Sequence, residues 1–214
     1  MRSLTPSLLR RILDAAIPTL LAGGCVPYLA DQQSARILPR GEWELTPSFS
    51  YVSFSIEDES DHIQDQYGVR VGYGLSEAAE LRATFEHIAV EDQPDSFNML
   101  GVGVKFGLVR DQIALYLPVG LLFGEDLDVS ETWTIAPTLL ATLRPSQRFE
   151  LTPSLKAIYP FASEDPELFL GFHLGAGIST DPNRWAFRPE LGLVKNPGEE
   201  GTTWGFTVGF SIRP

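Results

Sequence analysis

The sequence predicts an all-β chain: a ten-stranded antiparallel up-and-down β-barrel that crosses a membrane on its strands. Three observations carry this. From Gly41 onward apolar residues alternate with polar or small ones at period two, the pattern of strands with one greasy face. The alternation falls into ten segments, an even number, most of them about 9–12 residues long, the span of a tilted crossing of the hydrocarbon layer. The non-apolar face also carries balanced charge, whereas a solvent face on a chain of formal net charge −12 would be negative.

Composition narrows the class further. With 214 residues the chain is a single domain, and no apolar stretch reaches the roughly 18 residues of a spanning helix. One Cys excludes a disulfide scaffold, and no Cys/His cluster suits structural zinc, so neither metal nor cofactor is expected. The acidic balance argues against nucleic acid as a partner, since a phosphate backbone wants a basic face.

Residues 1–24 read as a secretory signal: Arg2, Arg10 and Arg11 precede an apolar run from Ile12 to Ala22, then the small Gly23 and Gly24. The run Leu21-Ala22-Gly23-Gly24-Cys25 resembles the lipobox of bacterial lipoproteins. That resemblance implies that Cys25 is the lipid attachment site and the mature N-terminus. Residues 26–40 have no clean period, so 25–40 is expected as a periplasmic tether ahead of a barrel over 41–214.

Each barrel segment follows from its alternation. The first sets Trp43, Leu45, Phe49 and Tyr51 against Glu44, Thr46, Ser48 and Ser50. The second sets Tyr67, Val69, Val71 and Tyr73 against Gly68, Arg70 and Gly72, and the third Leu81, Ala83 and Phe85 against Arg82, Thr84 and Glu86. Next come Leu100, Val102, Val104 and Phe106 against Gly101, Gly103 and Lys105, and then Ile113 to Leu121 against Ala114, Tyr116 and Gly120. The sixth sets Trp133, Ile135, Leu139 and Leu143 against Thr132, Thr134, Thr138 and Thr142. The seventh sets Phe149, Leu151, Leu155 and Tyr159 against Glu150, Thr152, Ser154 and Lys156. In the eighth Leu168, Leu170, Phe172, Leu174 and Ile178 oppose Gly171, His173, Gly175 and Gly177. The ninth has Trp185, Phe187, Leu191 and Leu193 against Arg184, Arg188 and Glu190. The tenth has Trp204, Phe206, Val208, Phe210 and Ile212 against Thr203, Gly205, Thr207 and Ser211. Pro47, Pro137, Pro153 and Pro189 fall inside these segments. Each lacks a ladder donor, so a bulge or a locally missing bond is expected at each.

Connections at 57–66, 89–98, 124–131, 160–167 and 195–201 read as long, and those at 74–79, 109–112, 144–148 and 180–183 as short. The long ones hold 17 of the 28 acidic residues and a single basic one, Lys195. Solubility accounts for such loops. The sharper reading is divalent cations bridging them to anionic head groups, although no run has the ligand spacing of a calcium loop.

Trp43, Tyr51, Tyr67, Tyr73, Trp133, Phe149, Tyr159, Trp185 and Trp204 all fall on the apolar face and would form two aromatic belts. On the other face Glu42, Glu44, Glu80, Glu86, Glu150 and Glu190 stand against Arg70, Arg82, Lys105, Lys156, Arg184 and Arg188. Charges shut inside a barrel must be paired, so these twelve are expected as lumen ion pairs. A soluble cup with an apolar cavity is the alternative architecture.

Thr203-Trp204-Gly205-Phe206-Thr207-Val208-Gly209-Phe210 resembles the terminal-strand signal recognised by the outer-membrane assembly machinery, with Gly205, Val208 and Phe210 at its key positions. Region 41–214 as a whole resembles small bacterial outer-membrane β-barrels. The resemblance implies long acidic loops outside, short periplasmic turns, outer-membrane lipids and the barrel-assembly machinery as partners, and a location in the bacterial outer membrane. No catalytic residue is assigned. His62 and His87 lie in or beside acidic loops and His173 faces inward, but no nucleophile motif accompanies them. The expected function is a non-catalytic, lipidated barrel, structural or surface-interacting, with a charge-paired closed lumen. The alternative is a narrow channel for a small or apolar molecule, lined by Tyr116, Thr132, Thr134 and Thr138. An outer-membrane hydrolase ranks behind both.

Overall fold

The structure, a computed structural model, describes residues 30–57, 59–91, 96–125, 127–163 and 166–214. The expected signal, 1–24, and Cys25 lie outside the described residues. Ten antiparallel crossings follow one another around a ring. They are β1 (Trp43–Ile56), β2 (Glu59–Ser76), β3 (Ala79–Val90), β4 (Ser96–Val109) and β5 (Ile113–Gly124). Then come β6, in three pieces (Thr134–Ile135, Thr138–Ala141 and Leu143–Ser146), β7 (Phe149–Ile158), β8 (Phe169–Ile178), β9 (Trp185–Lys195) and β10 (Thr202–Ile212). Each pairs with the next. β10 returns to β1, with Leu45 opposite Ile212 and Ser55 opposite Thr202, so the sheet closes and leaves no edge.

The broken β6 is one crossing. Thr134 faces Gly120 and Thr138 faces Tyr116 in a single register along β5, on either side of the break. Pro137 has no N–H to give and Pro118 beside it has none either, so ladder bonding lapses there. Ala136 N still donates to the Pro118 carbonyl at 3.1 Å, and Ala157 N to the Pro137 carbonyl at 3.0 Å. The other strand prolines each keep a partner on one side, Pro47 with Val69, Pro153 with Leu174 and Pro189 with Val208. On the opposite side the pairing skips. Between β1 and β10 it jumps from Leu45–Ile212 to Ser48–Gly209, and between β8 and β9 from Gly175–Glu190 to Ile178–Phe187. Between β6 and β7 it passes from Leu140–Ser154 to Leu143–Leu151. The expected missing bond is present at all four prolines.

Burial alternates along the strands in the sense read from the sequence. On β1 Glu44, Thr46 and Ser50 are buried while Trp43, Leu45, Phe49 and Tyr51 are exposed. This is an inverted protein: Leu155 at mid-strand is 59% exposed, whereas Lys105 is 0% exposed. A soluble barrel would do the reverse. Aromatic side chains gather on the outer surface at both ends. Trp43 packs on Tyr73 (ring centroids 4.5 Å apart) and Trp185 on Phe210 (5.6 Å) toward the short turns. Tyr51 neighbours Trp204 (6.4 Å) toward the long loops, where Trp133 and Tyr159 also face outward. Tyr67 packs on Phe49 (5.3 Å), and Phe149 opens β7 at the short-turn end.

Two expectations need correction. The first connection is not long: β1 and β2 run on to Ile56 and Glu59, so 59–66, expected as loop, is strand. Ladder bonds to β1 hold its acidic residues in extended backbone. Glu57 begins the turn at φ 52°. The other correction concerns 25–40, expected as a tether. Its described part, 30–40, turns back into the barrel, and Ala30–Arg36 and Leu38 are buried. A turn at Pro39–Glu42 (Glu42 N to Pro39 O, 3.0 Å), with Gly41 at φ 85°, feeds this segment in through the short-turn mouth. At the long-loop end Val129–Glu131 forms a single 3₁₀ turn. The Ser130 hydroxyl and N–H both donate to the capping Asp128 carboxylate and hold its pKa below the ordinary value.

Replacing Leu155 by Arg puts a charge in the middle of the greasy outer face. In lipid vesicles the variant is expected to lose about 2–4 kcal/mol in urea unfolding, against well under 1 kcal/mol for a water-facing position. A loss below 0.5 kcal/mol contradicts a lipid-facing exterior.

Candidate functional site

The interior has two layers. In the half near the long loops Val52, Ile88, Phe97, Met99, Leu122, Ile158, Phe169 and Val194 form one buried apolar cluster, with Ser53, Gln66, Thr132, Thr134 and Thr203 buried beside them. Below it, toward the short turns, lies the charge. Of the twelve residues expected as lumen ion pairs, ten sit here: Glu44, Glu80, Glu86, Glu150 and Glu190 with Arg70, Arg82, Lys105, Lys156 and Arg188. Glu42 and Arg184 do not. Both are exposed just before β1 and β9, because neither strand begins early enough to draw them inside.

The pairs form local nets. Glu80 binds Arg82 and, at 2.7 Å, Lys105. Arg82 reaches on to Glu44 at 2.8 Å, and Glu44 also takes Arg213 at 3.0 Å. Arg70 binds Glu86 and donates to Ser48 Oγ at 2.7 Å. Arg188 bridges Glu150 (3.1 Å) and Ser211 Oγ (2.7 Å). His173 Nδ1 lies 3.2 Å from Glu190.

The N-terminal segment completes these nets. Asp31 takes Lys156 at 2.9 Å and the Ser154 hydroxyl, and Arg36 takes Glu150 at 3.3 Å. Its main chain is bound by wall side chains of both signs. Glu190 accepts from the N–H of Asp31 (2.6 Å) and Gln32 (2.8 Å), Thr142 from Ala35 (2.7 Å) and Glu80 from Leu38 (2.7 Å). Lys105 donates to the carbonyls of Ser34 (2.9 Å) and Arg36 (2.8 Å), and Arg70 to that of Ala30 (3.2 Å). The buried acids and bases therefore match at six each once Asp31 and Arg36 are counted. Spatial partners on six different strands hold the described residues 30–38, so no local pattern in 26–40 announces the plug. One trace was legible: inward glycines on β2 and β4 leave room for a filler. A Cβ on Gly72 would stand 2.9 Å from Leu38 Cδ1, one on Gly107 3.0 Å from Ile37 Cγ1, and one on Gly74 would strike the Pro39 carbonyl.

What remains of the lumen is small. Among the described residues a cavity of about 20 Å³ lies between Asp31, Arg70, Tyr116, Thr138 and Lys156, room for about one water, and a smaller one of about 10 Å³ lies by Glu150, Gly177 and Ala186 at the short-turn mouth. Tyr116, Thr132, Thr134 and Thr138, the expected lining of a channel, are buried against the plug and the apolar layer. Asp31, His173 and Glu190 bring ligand atoms within 4.8 Å of one another. Lys156 and Ser154 already occupy Asp31, and two N–H groups and His173 occupy Glu190, so this is a charge anchor and a poor cation site. The remaining histidines lie at the rim. His62 Nε2 is 3.6 Å from both Asp65 and Glu91 and its ring stacks on Tyr51, and His87 Nδ1 meets Asn98 Oδ1 at 3.1 Å. On β10 Gly205 faces inward and Val208 and Phe210 outward.

No family model matches the chain, and neither does any curated protein. Solved structures do. An outer membrane channel from Pseudomonas putida F1 superposes with a TM-score of 0.52 at 8% identity, over 86% of this chain and 100% of that one. The fold is that of a bacterial outer-membrane β-barrel. Looser likenesses, below the level that carries weight, are the translocator domain of autotransporter NalP from Neisseria meningitidis and Ail, the attachment invasion locus protein of Yersinia pestis. The first has a TM-score of 0.46 at 8% identity over 97% of both chains. The second has a TM-score of 0.37 at 10% identity over 82% of this chain and 99% of that one.

Breaking one net should be costly. Glu80→Gln leaves Arg82 and Lys105 short of a counter-charge and is expected to cost about 3–5 kcal/mol in urea unfolding, with part of the loss recovered by adding Lys105→Met. Gly74→Ala pushes a methyl group into the plug backbone and is expected to cost about 1–3 kcal/mol by the same measurement.

Proposed function

We propose that this chain is a non-catalytic outer-membrane barrel whose lumen is held shut, a structural or surface-interacting protein that conducts no solute at rest. The observation that carries the reading is the filling of the interior at both levels. An apolar layer closes the long-loop half and the chain's own residues 30–38 close the other, leaving only small cavities of about 20 and 10 Å³ among the described residues. The fold and the greasy, aromatic-flanked exterior support an outer-membrane location, with the long loops outside and the short turns in the periplasm. The P. putida protein is named a channel; at 8% identity the likeness supports the fold and not conduction.

Several further parts belong to the same reading. Cys25 carries a lipid after removal of 1–24. β10, with Gly205, Val208 and Phe210, is the strand offered to the barrel-assembly machinery. The acidic loops bind divalent cations that bridge to anionic lipid head groups.

In planar bilayers the purified wild-type protein, folded by the criterion of heat-modifiable gel migration, is expected to stay silent. Steady openings in that protein would reject the closed barrel in favour of the narrow route past Tyr116 and Thr138. The intact mass of the mature protein is expected to fit an acylated Cys25 as first residue, and an unmodified residue elsewhere would reject lipidation.

A further inference from the structure

We propose that His62, Asp65 and Glu91 form a binding site for a divalent transition-metal ion of the zinc kind, on the outer surface of the barrel at its long-loop end.

Spacing alone would keep these residues apart. Positions 62 and 65 are three apart, and in an unbroken strand they would face opposite sides of the wall. The ladder to β1 passes from Gln64 opposite Val52 to His62 opposite Ser53, so Ile63 is an extra residue, a bulge that returns His62 to the face of Asp65. That face is the outer one. Asp65 pairs with the exposed Tyr51, and the His62 ring stacks on Tyr51 with centroids 4.0 Å apart and planes within 12°. Glu91 comes from the end of β3, where its N–H donates to the carbonyl of the bulged Ile63 at 2.9 Å. One backbone irregularity thus seats all three.

The distances suit an ion better than a hydrogen bond. His62 Nε2 is 3.6 Å from Asp65 Oδ1 and 3.6 Å from Glu91 Oε2. A hydrogen bond would draw each pair to about 2.7–3.2 Å. Two ligands of one tetrahedral zinc, bonded at about 2.0–2.2 Å, stand roughly 3.4 Å apart. Asp65 Oδ1 is buried and accepts no hydrogen bond, an unmet acceptor that calls for a partner. The stack on Tyr51 fixes the imidazole, and Nδ1 is buried without a partner, so Nε2 is the nitrogen turned to the carboxylates. Glu91, whose side chain is 57% exposed, has room to close onto the ion.

Charge and chemistry agree. Two carboxylates and a neutral imidazole balance a doubly charged cation, and the long connections supply only Lys195 to compete for them. The imidazole also selects: nitrogen suits zinc, copper or nickel, whereas magnesium and calcium take oxygen. This separates the site from the acidic loops in the ion it takes. A bound ion would tie β2 to β3 beyond their last ladder pair, Gln64–Val90.

The test uses the full chain without an affinity tag, folded in detergent micelles. Competition against a chromophoric chelator is expected to show one Zn²⁺ per chain, bound at least a hundredfold tighter than Mg²⁺ or Ca²⁺. His62→Gln should weaken Zn²⁺ at least thirtyfold, and Asp65→Asn or Glu91→Gln at least fivefold each, while His87→Gln changes nothing. With Cu²⁺ as a spectroscopic probe, electron paramagnetic resonance is expected to show one coordinated nitrogen, lost in His62→Gln. Zn²⁺ affinity that survives His62→Gln, or that Mg²⁺ equals, overturns the site and leaves only ions held on the acidic loops. A wild-type protein that takes up no Zn²⁺ overturns it as well. If His62→Gln does not migrate as folded, His62→Phe, which keeps a ring on Tyr51, goes through the same titration with the same outcomes. Since none of these substitutions touches the lumen, conduction by the wild type remains the separate measure of the closed barrel.

Discussion

Charge matching inside a sealed wall is the constraint on which the rest of this protein depends. A closed sheet with a greasy exterior has no route to water for its inward polar groups, so each buried acid needs a base at hydrogen-bonding distance. Glu80, for instance, serves Arg82, Lys105 and the Leu38 amide at once. The wall does part of this by itself, as where Arg188 meets Glu150, and the N-terminal segment adds the rest. Lys156 and Glu150 find partners in Asp31 and Arg36, so the N-terminal segment belongs to the core even though it forms no strand.

The layering follows from the same rule. Polar side chains are concentrated where the plug can meet them, and above Lys156 on β7 the next inward residue is Ile158, part of the apolar cluster. Apolar groups need no partner, so that half can pack against itself without a filler. Strand prolines fit the scheme as well. Pro47, Pro153 and Pro189 keep pairing on one side and lapse on the other, and Thr46 and Ser211 hydroxyls, 2.8 Å apart, meet across the gap beside Pro47.

The wall was legible in the sequence because it is local: period two decides which face each residue takes, and Trp43, Lys105 and Phe210 stand where their parity puts them. Strand ends were less legible. β1 and β2 continue through residues as polar as Asp61 because their ladder bonds hold beyond the bilayer span, and polarity alone reads such a stretch as loop. Apart from the room left by inward glycines on β2 and β4, the plug was not legible. Its hydrogen-bond partners lie 40 to 159 residues away, and no period marks a segment that touches a different strand at nearly every residue. The charge balance concealed the omission, since Glu42 and Arg184, wrongly placed inside, cancel each other just as Asp31 and Arg36 do.

The ring closes at the seam between β1 and β10, and this has a bearing on how the protein is made. β1 is continuous with the plug through the turn at Pro39–Glu42, while β10 is the last strand of the ring and follows directly on β9, whose Glu190 grips Asp31 and Gln32. The plug and the first and last strands of the ring must therefore find one another before the cylinder can shut. Loading of the interior and sealing of the wall become one concerted event in biogenesis, and a chain whose leading segment was delayed would present the insertion machinery with a gaping, charge-lined half-pipe.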